Sequence, residues 1–267
     1  MNRIAQWPAP IRIGLFLFGL LILWLPVVGI LYVLGGEAAA TSLGSVVILY
    51  GEFVGLIGVW DRCVYKTPQP FIQHGLVFNC TNGLEFLFGL GLGMISLVCL
   101  FATEGVMGWL TWQGIPSTQV ILEGLLVSVG VAWAEELLFR GWLLDELRRD
   151  YQGAVWISSS LYALLHFIKP WEEIIRTLPS FPGLLLLGLL LGWARQQQQG
   201  RLGLAIGIHA GLVWGYYLIQ VEDLVRYSGA VPTWVTGIDH NPLAGGVGLV
   251  FLALLSLIVT RGIRWLA

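Results

Sequence analysis

The sequence predicts an all-α, polytopic membrane helix bundle with about eight transmembrane helices. Three observations predict it. Of the 267 residues, 57% are hydrophobic. Only 11% are charged, where a soluble domain carries about 25%. Mean hydropathy is +0.79, and runs near the length of about 20 apolar residues that a spanning helix needs recur along the chain. The 35 glycines and 13 tryptophans also suit a membrane protein. The net charge of −2 says little about partners, and neither a basic patch nor a zinc-finger spacing points to nucleic acid, so no nucleic-acid partner is expected. Cys63, Cys80 and Cys99 are odd in number and lack a C-x-x-C spacing, so no disulfide framework is implied.

Eight spans are expected, at 13–34, 40–60, 84–103, 119–147, 153–168, 180–197, 202–219 and 243–262. The first is longer than the roughly 7–15-residue core of a cleaved signal, so it reads as an uncleaved span despite the cleavage-like "EAAATS" at 37–42. The sixth has the shortest apolar part. Loop charges orient the bundle. Arg3, Arg12, Arg62, Lys66, Arg148, Arg149, Arg195, Arg201, Arg261 and Arg264 fall on one side, and Lys169, Arg176 and Arg226 on the other. The positive-inside rule then places both termini of a multi-pass integral membrane protein in the cytoplasm. Residues 1–118 form N-terminal helices, 119–219 a core, and 220–267 a loop and the last helix.

In the seventh span Gly203, Gly207, Gly211 and Gly215 recur every four residues, a ridge that lets membrane helices approach closely. His209 points away from that ridge.

The fourth span contains "AWAEELLFRGW", with two carboxylates and an arginine at membrane depth. Ionisable residues there are costly and are read first as functional. Glu136 and Arg140 are spaced i, i+4, glutamate first, the better order for an ion pair. Glu135 is turned by about 100° from Glu136 and is the carboxylate left over, suited to take a proton from water near neutral pH. His166 ends "SSSLYALLH" in the fifth span and His209 lies in the seventh. Counted at helical rise from the cytoplasmic ends of their spans, Glu135 and His166 are each about 18 Å deep and His209 about 11 Å. One glutamate and two histidines can polarise a water for attack on a peptide carbonyl, either directly or through Zn²⁺ held by Glu135, His166 and His209. The H-E-x-x-H signature is absent, and spacing leaves both routes open. Glu52 is a minor candidate. Glu85 and Glu123 are expected to reach the interface, "RQQQQGR" to be a solvated loop or helix end, and His74 and His240 to lie in polar loops.

"EELLFR", then "YALLH" about thirty residues later, then "HAGLV", resembles the three-motif core of the CPBP family. That family comprises type II CAAX prenyl endopeptidases and bacterial proteins linked to bacteriocin processing and immunity. The resemblance covers roughly 119–219. It implies an intramembrane endopeptidase acting on a hydrophobic peptide or membrane-protein substrate in the lipid bilayer. Glu135 would be the water-activating glutamate, Glu136 its essential neighbour and Arg140 the motif arginine, with His166 and His209 completing the site. The family is described both as metallo- and as glutamate-type, so the resemblance leaves the metal open. Two positions depart from its pattern. Tyr162 stands where Phe is usual, and Val213 stands where the prenyl-protein members have Asn, a hydrogen-bond donor that valine lacks. The alternative is a catalytically silent scaffold or immunity-type protein binding a partner through the same polar cavity. A proton-coupled transporter is a third class, disfavoured by the absence of an internal repeat.

Overall fold

The computed structural model describes residues 3–36 and 39–262. Arg264 and part of the "EAAATS" stretch lie outside them. A helix occupies each of the eight expected positions: α1 (Ala9–Gly35), α2 (Ala39–Trp60), α3 (Cys80–Val106), α4 (Thr118–Glu136), α5 (Ala154–Leu165), α6 (Phe181–Gln197), α7 (Gly203–Val221) and α8 (Gly246–Leu257). Among the described residues five helices are long and apolar enough to cross a membrane, including α1, α3 and α7, while α5 and α8 belong to shorter apolar helices. The chain is an integral membrane helix bundle. At about 1.5 Å per residue the twelve-residue α5 rises only about 18 Å. It ends where His166 takes over as its C-cap.

The chain divides into two compact units. The first comprises Met1–His74 together with Asp145–Gln152. Here α1 and α2 pack through aromatic edges, Phe16 lying 5.9 Å from Phe53 and 5.6 Å from Trp60. The indole of Trp24 donates to the Ser45 carbonyl at 3.1 Å. The outer face of α1 exposes Phe18, Leu21, Ile22, Leu25 and Ile30, an apolar surface suited to lipid.

The second unit, Gly75–Leu144 and Gly153–Ala267, contains α3 to α8. Asn79 and Ser117 start α3 and α4 by accepting from the amides of Asn82 and Val120. The pairing of α3 with α7 depends on the predicted glycine ridge. A methyl group at Gly207 would meet the Phe86 carbonyl oxygen and lie 2.8 Å from the Leu90 nitrogen, so only glycine permits this backbone approach. Beyond the helix ends a two-stranded antiparallel sheet, β1 (Leu110–Trp112) and β2 (Val225–Tyr227), pairs Leu110 with Tyr227 and Trp112 with Val225. Leu110 and Val225 close a core of Leu97, Leu100, Phe101, Ile219 and Leu224. Three-residue strands carry too little alternation to be read from the sequence.

Gly207→Ala is expected to destabilise the protein by about 1–3 kcal/mol through overpacking. Gly130→Ala, whose new methyl group meets no atom within 4 Å, is expected to be near neutral. Thermal unfolding in detergent compares them, and equal effects would refute the close-approach account.

Candidate active site

Five residues singled out in the sequence lie on α4 and its continuation, on α5 and on α7. Immediately after Glu136 the helix widens into a π-helical stretch, Leu137–Leu143, before returning to α geometry over Leu144–Arg148. Wider turns of this kind are frequent at functional sites, and they disturb the regular pairing of backbone carbonyls. In an apolar setting the disturbed carbonyls need other donors. Ser158 of α5 donates its hydroxyl to the Phe139 carbonyl at 2.7 Å. Arg195 of α6 donates to the carbonyl of Arg140 and, at 3.5 Å, to that of Gly141.

Arg140 and Glu136 are both fully buried, and their guanidinium and carboxylate meet at 2.9 Å (Nη1 to Oε1), the pairing the i, i+4 spacing predicts. The guanidinium also donates to the Gly188 carbonyl at 3.3 Å and lies 4.2 Å from the centre of the Tyr162 ring. The same Oε1 of Glu136 accepts from Nδ1 of His209 at 2.9 Å. With its proton on Nδ1, a neutral His209 turns the lone pair of Nε2 outward. That Nε2 is 3.9 Å from Oε2 of Glu135, a buried oxygen that has no hydrogen-bond partner. Glu135 is 30% exposed while Glu136 is sealed, so the two adjacent carboxylates occupy different environments.

His166 is half-buried, with Nδ1 directed at the Tyr162 carbonyl at 2.7 Å. The Tyr162 ring contacts both histidines, its centre 4.6 Å from that of His166 and 6.4 Å from that of His209. The candidate zinc set does not converge: among the described residues, no group of three His, Cys, Asp or Glu side chains is disposed to hold a metal ion. Glu135 faces His209, but His166 joins them only through the tyrosine. The residues as placed do not fit a three-ligand metal.

Val213, one turn beyond His209, lines an apolar cavity of about 170 Å³ with Leu187, Leu212, Tyr216, Asn241 and Phe251 among its walls. Of the nearby donors, Tyr216 lines the same cavity, while Trp214 gives its indole N–H to the Ile121 carbonyl at 3.0 Å.

Several sequence expectations need correction. Arg195 is not a loop charge but a buried donor to the motif helix, and Gln198 in "RQQQQGR" is fully buried. Glu85 does not reach the interface; it is buried against Arg201, whose Nε donates at 2.9 Å. His74 is buried between two carboxylates rather than lying in a solvated loop. Glu52 keeps one buried carboxylate oxygen without a hydrogen bond. The signal missed for Arg195 was its position at the end of an apolar run, facing the helix that carries the motif.

Removing Arg140 would leave Glu136 charged, buried and uncompensated. Arg140→Ala is expected to cost about 3–5 kcal/mol. Unfolding in detergent checks this, and a loss below 1 kcal/mol would show that the pair does not hold the site.

Comparison with known proteins adds a family. Residues 117–215 match the family described as Type II CAAX prenyl endopeptidase Rce1-like, a stretch that includes all five predicted site residues. No curated protein and no solved structure matches the chain. Residues 117–215 of this integral membrane protein are therefore similar to the Rce1-like type II CAAX prenyl endopeptidase family.

Proposed function

We propose that the chain is an intramembrane endopeptidase in which Glu135 activates a water for attack on a peptide bond of a hydrophobic peptide or membrane protein. The observation that carries the reading is the buried, unpartnered Oε2 of Glu135 facing Nε2 of His209 at 3.9 Å. A water hydrogen-bonded to both atoms would sit about 2.8 Å from each. Arg140 and Glu136 fix the imidazole, and their buried contacts leave little freedom for it to turn.

In the reaction Glu135 takes a proton from the water as the oxygen adds to the carbonyl carbon. The tetrahedral intermediate collapses as the C–N bond breaks, and the same carboxyl returns the proton to the leaving nitrogen. The products are a carboxylic acid and an amine. His209 orients the water, and His166, its Nδ1 engaged with the Tyr162 carbonyl, is assigned to orient the substrate carbonyl. No step is routed through a metal. The excess of basic residues in the loops on one side supports cytoplasmic termini.

A second reading, the catalytically silent scaffold or immunity-type protein, is favoured by one observation. Val213 offers no donor to the developing oxyanion, and the indole N–H of Trp214 is already engaged. Loss of one oxyanion donor costs about 10²–10³ in rate.

Wild type and Glu135→Gln, purified in detergent, would be incubated with a library of hydrophobic peptides, with and without a zinc chelator. Mass spectrometry should find fragments with wild type that vanish in the variant and persist with chelator. Their absence from folded wild type would favour the scaffold. Val213→Asn should raise kcat, by up to about a hundredfold; an unchanged rate would mean that position 213 does not face the oxyanion.

A further inference from the structure

Three acids close together in "DELRRD" follow Arg140 by a few residues, and none of them faces solvent without a partner. Asp145, Glu146 and Asp150 all belong to the first compact unit, with α1 and α2. Glu146 is buried and has both oxygens occupied. Arg12 Nε donates to Oε2 at 2.8 Å. The Tyr65 hydroxyl lies 2.6 and 2.7 Å from the two oxygens, and the Trp60 indole donates to Oε1 at 3.3 Å. A second Arg12 nitrogen donates to the Glu146 carbonyl at 3.0 Å. Asp150 accepts from the Ala9 amide and from Arg12 at 3.4 Å. Arg149 stacks on the Tyr65 ring at 3.8 Å.

Asp145 is held by His74. That imidazole is 2% exposed; its Nδ1 lies 2.8 Å from Oδ2 of Asp145, and its Nε2 lies 2.8 Å from Oδ2 of Asp61. Carboxylates only accept, and a neutral imidazole has a single N–H. A neutral His74 would press a lone pair against one carboxylate at 2.8 Å. With both aspartates ionised, both contacts are favourable only when both nitrogens carry protons. The charges around it agree. Four carboxylates, Asp61, Asp145, Glu146 and Asp150, gather here with the arginines Arg12, Arg148 and Arg149, Arg148 lying 3.8 Å from Asp145. A cationic His74 balances the fourth.

We propose that the acidic segment 145–150 is a plug seated in a socket of N-terminal residues, with His74 as an imidazolium, charged at neutral pH, that positions the last turns of the helix bearing Glu135 and Glu136. The plug lies inside the family-matched residues and the socket residues Arg12, Asp61, Tyr65 and His74 lie outside them. The N-terminal helices therefore contribute positioning residues. The link to catalysis rests on the peptidase reading; the charge and the seating do not.

Burial pulls the His74 pKa down, but hydrogen bonds and charge from Asp145 and Asp61 outweigh it and push it up to about 9. Raised above the ordinary value near 6.5, this group gives its full stabilisation below about pH 6.5 and loses it as pH rises through about 9.

The test uses full-length protein in detergent with ¹⁵N-labelled histidine, His74 being assigned by comparison with His74→Gln. The expected spectrum at pH 7.5 shows both His74 nitrogens protonated, with titration near pH 9. A single-proton tautomer at pH 7.5 would overturn the charge assignment. If His74→Gln fails to fold, His240→Gln and the other single histidine variants assign the signal by elimination. Thermal unfolding from pH 6 to 10 supplies the second arm, with Asp145→Asn as a further variant. Wild type should lead both variants by a few degrees at low pH, and that lead should vanish above pH 9. Parallel curves would overturn the seating. Where wild type cleaves peptide, His74→Gln should lower kcat by up to about a hundredfold with KM held, and should lose the alkaline limb near pH 9. An unchanged kcat would overturn the positioning role. Wild type that cleaves nothing defeats the peptidase reading, and the spectroscopic and unfolding arms still decide the socket.

Discussion

One oxygen atom organises the candidate site. Oε1 of Glu136 accepts from both Arg140 and His209, at 2.9 Å each, with all three side chains buried. Within an apolar bundle an isolated charge is costly, so Glu136 and Arg140 tolerate burial only together. Their pairing then dictates the state of a third residue on another helix. A histidine whose Nδ1 donates to that carboxylate presents the lone pair of Nε2 on its far side, where Glu135 lies. Arg140 extends the arrangement further, to the Gly188 carbonyl on α6 and the Tyr162 ring on α5. Four helices are thus tied to one buried ion pair.

The π-helical stretch after Glu136 follows the same economy of polar groups. A regular α-helix satisfies its own backbone, and a widened one in a membrane needs outside donors. Arg195 and Ser158 supply them from α6 and α5. A residue that composition places among the cytoplasmic loop charges therefore acts as a structural donor to the motif helix. This also explains why α6, short in apolar residues, ends in a charge that is nevertheless buried.

The readable and unreadable parts of the sequence divide along a physical line. Periodicity reports which face of a helix a residue occupies. Apolar run length marked the eight helices, and periodicity marked the glycine ridge on α7, the separation of His209 from that ridge and the pairing of Glu136 with Arg140. It does not report the partner across space. Glu85 with Arg201, Arg195 with the Arg140 carbonyl, and His74 between Asp61 and Asp145 each join residues distant in sequence, and nothing local marks them. The three candidate zinc ligands are not brought together among the described residues. Similar depths along three helices suggested convergence of Glu135, His166 and His209, but depth is one coordinate of three. The Tyr162 ring contacts both histidines.

The adjacency of Glu135 and Glu136 now has a physical meaning. Neighbouring helical residues diverge by about 100°, so one carboxylate can enter the sealed interior while the next turns toward an opening. Glu136 needs burial, because its contacts with Arg140 and His209 gain strength in low dielectric. In the proposed reaction Glu135 needs access, because a base must meet water and substrate. A single carboxylate could not satisfy both demands, since each cation or histidine proton it accepted would weaken its pull on a water proton. On the proposed reading the pair separates anchoring from chemistry within two residues. Val213 lines an apolar cavity whose walls include none of the five candidate residues, and its side chain has no donor to offer the developing negative charge of the proposed reaction. If the proposed reaction holds, a chain with Glu135 as its base and no donor at position 213 would differ from an efficient protease chiefly in rate.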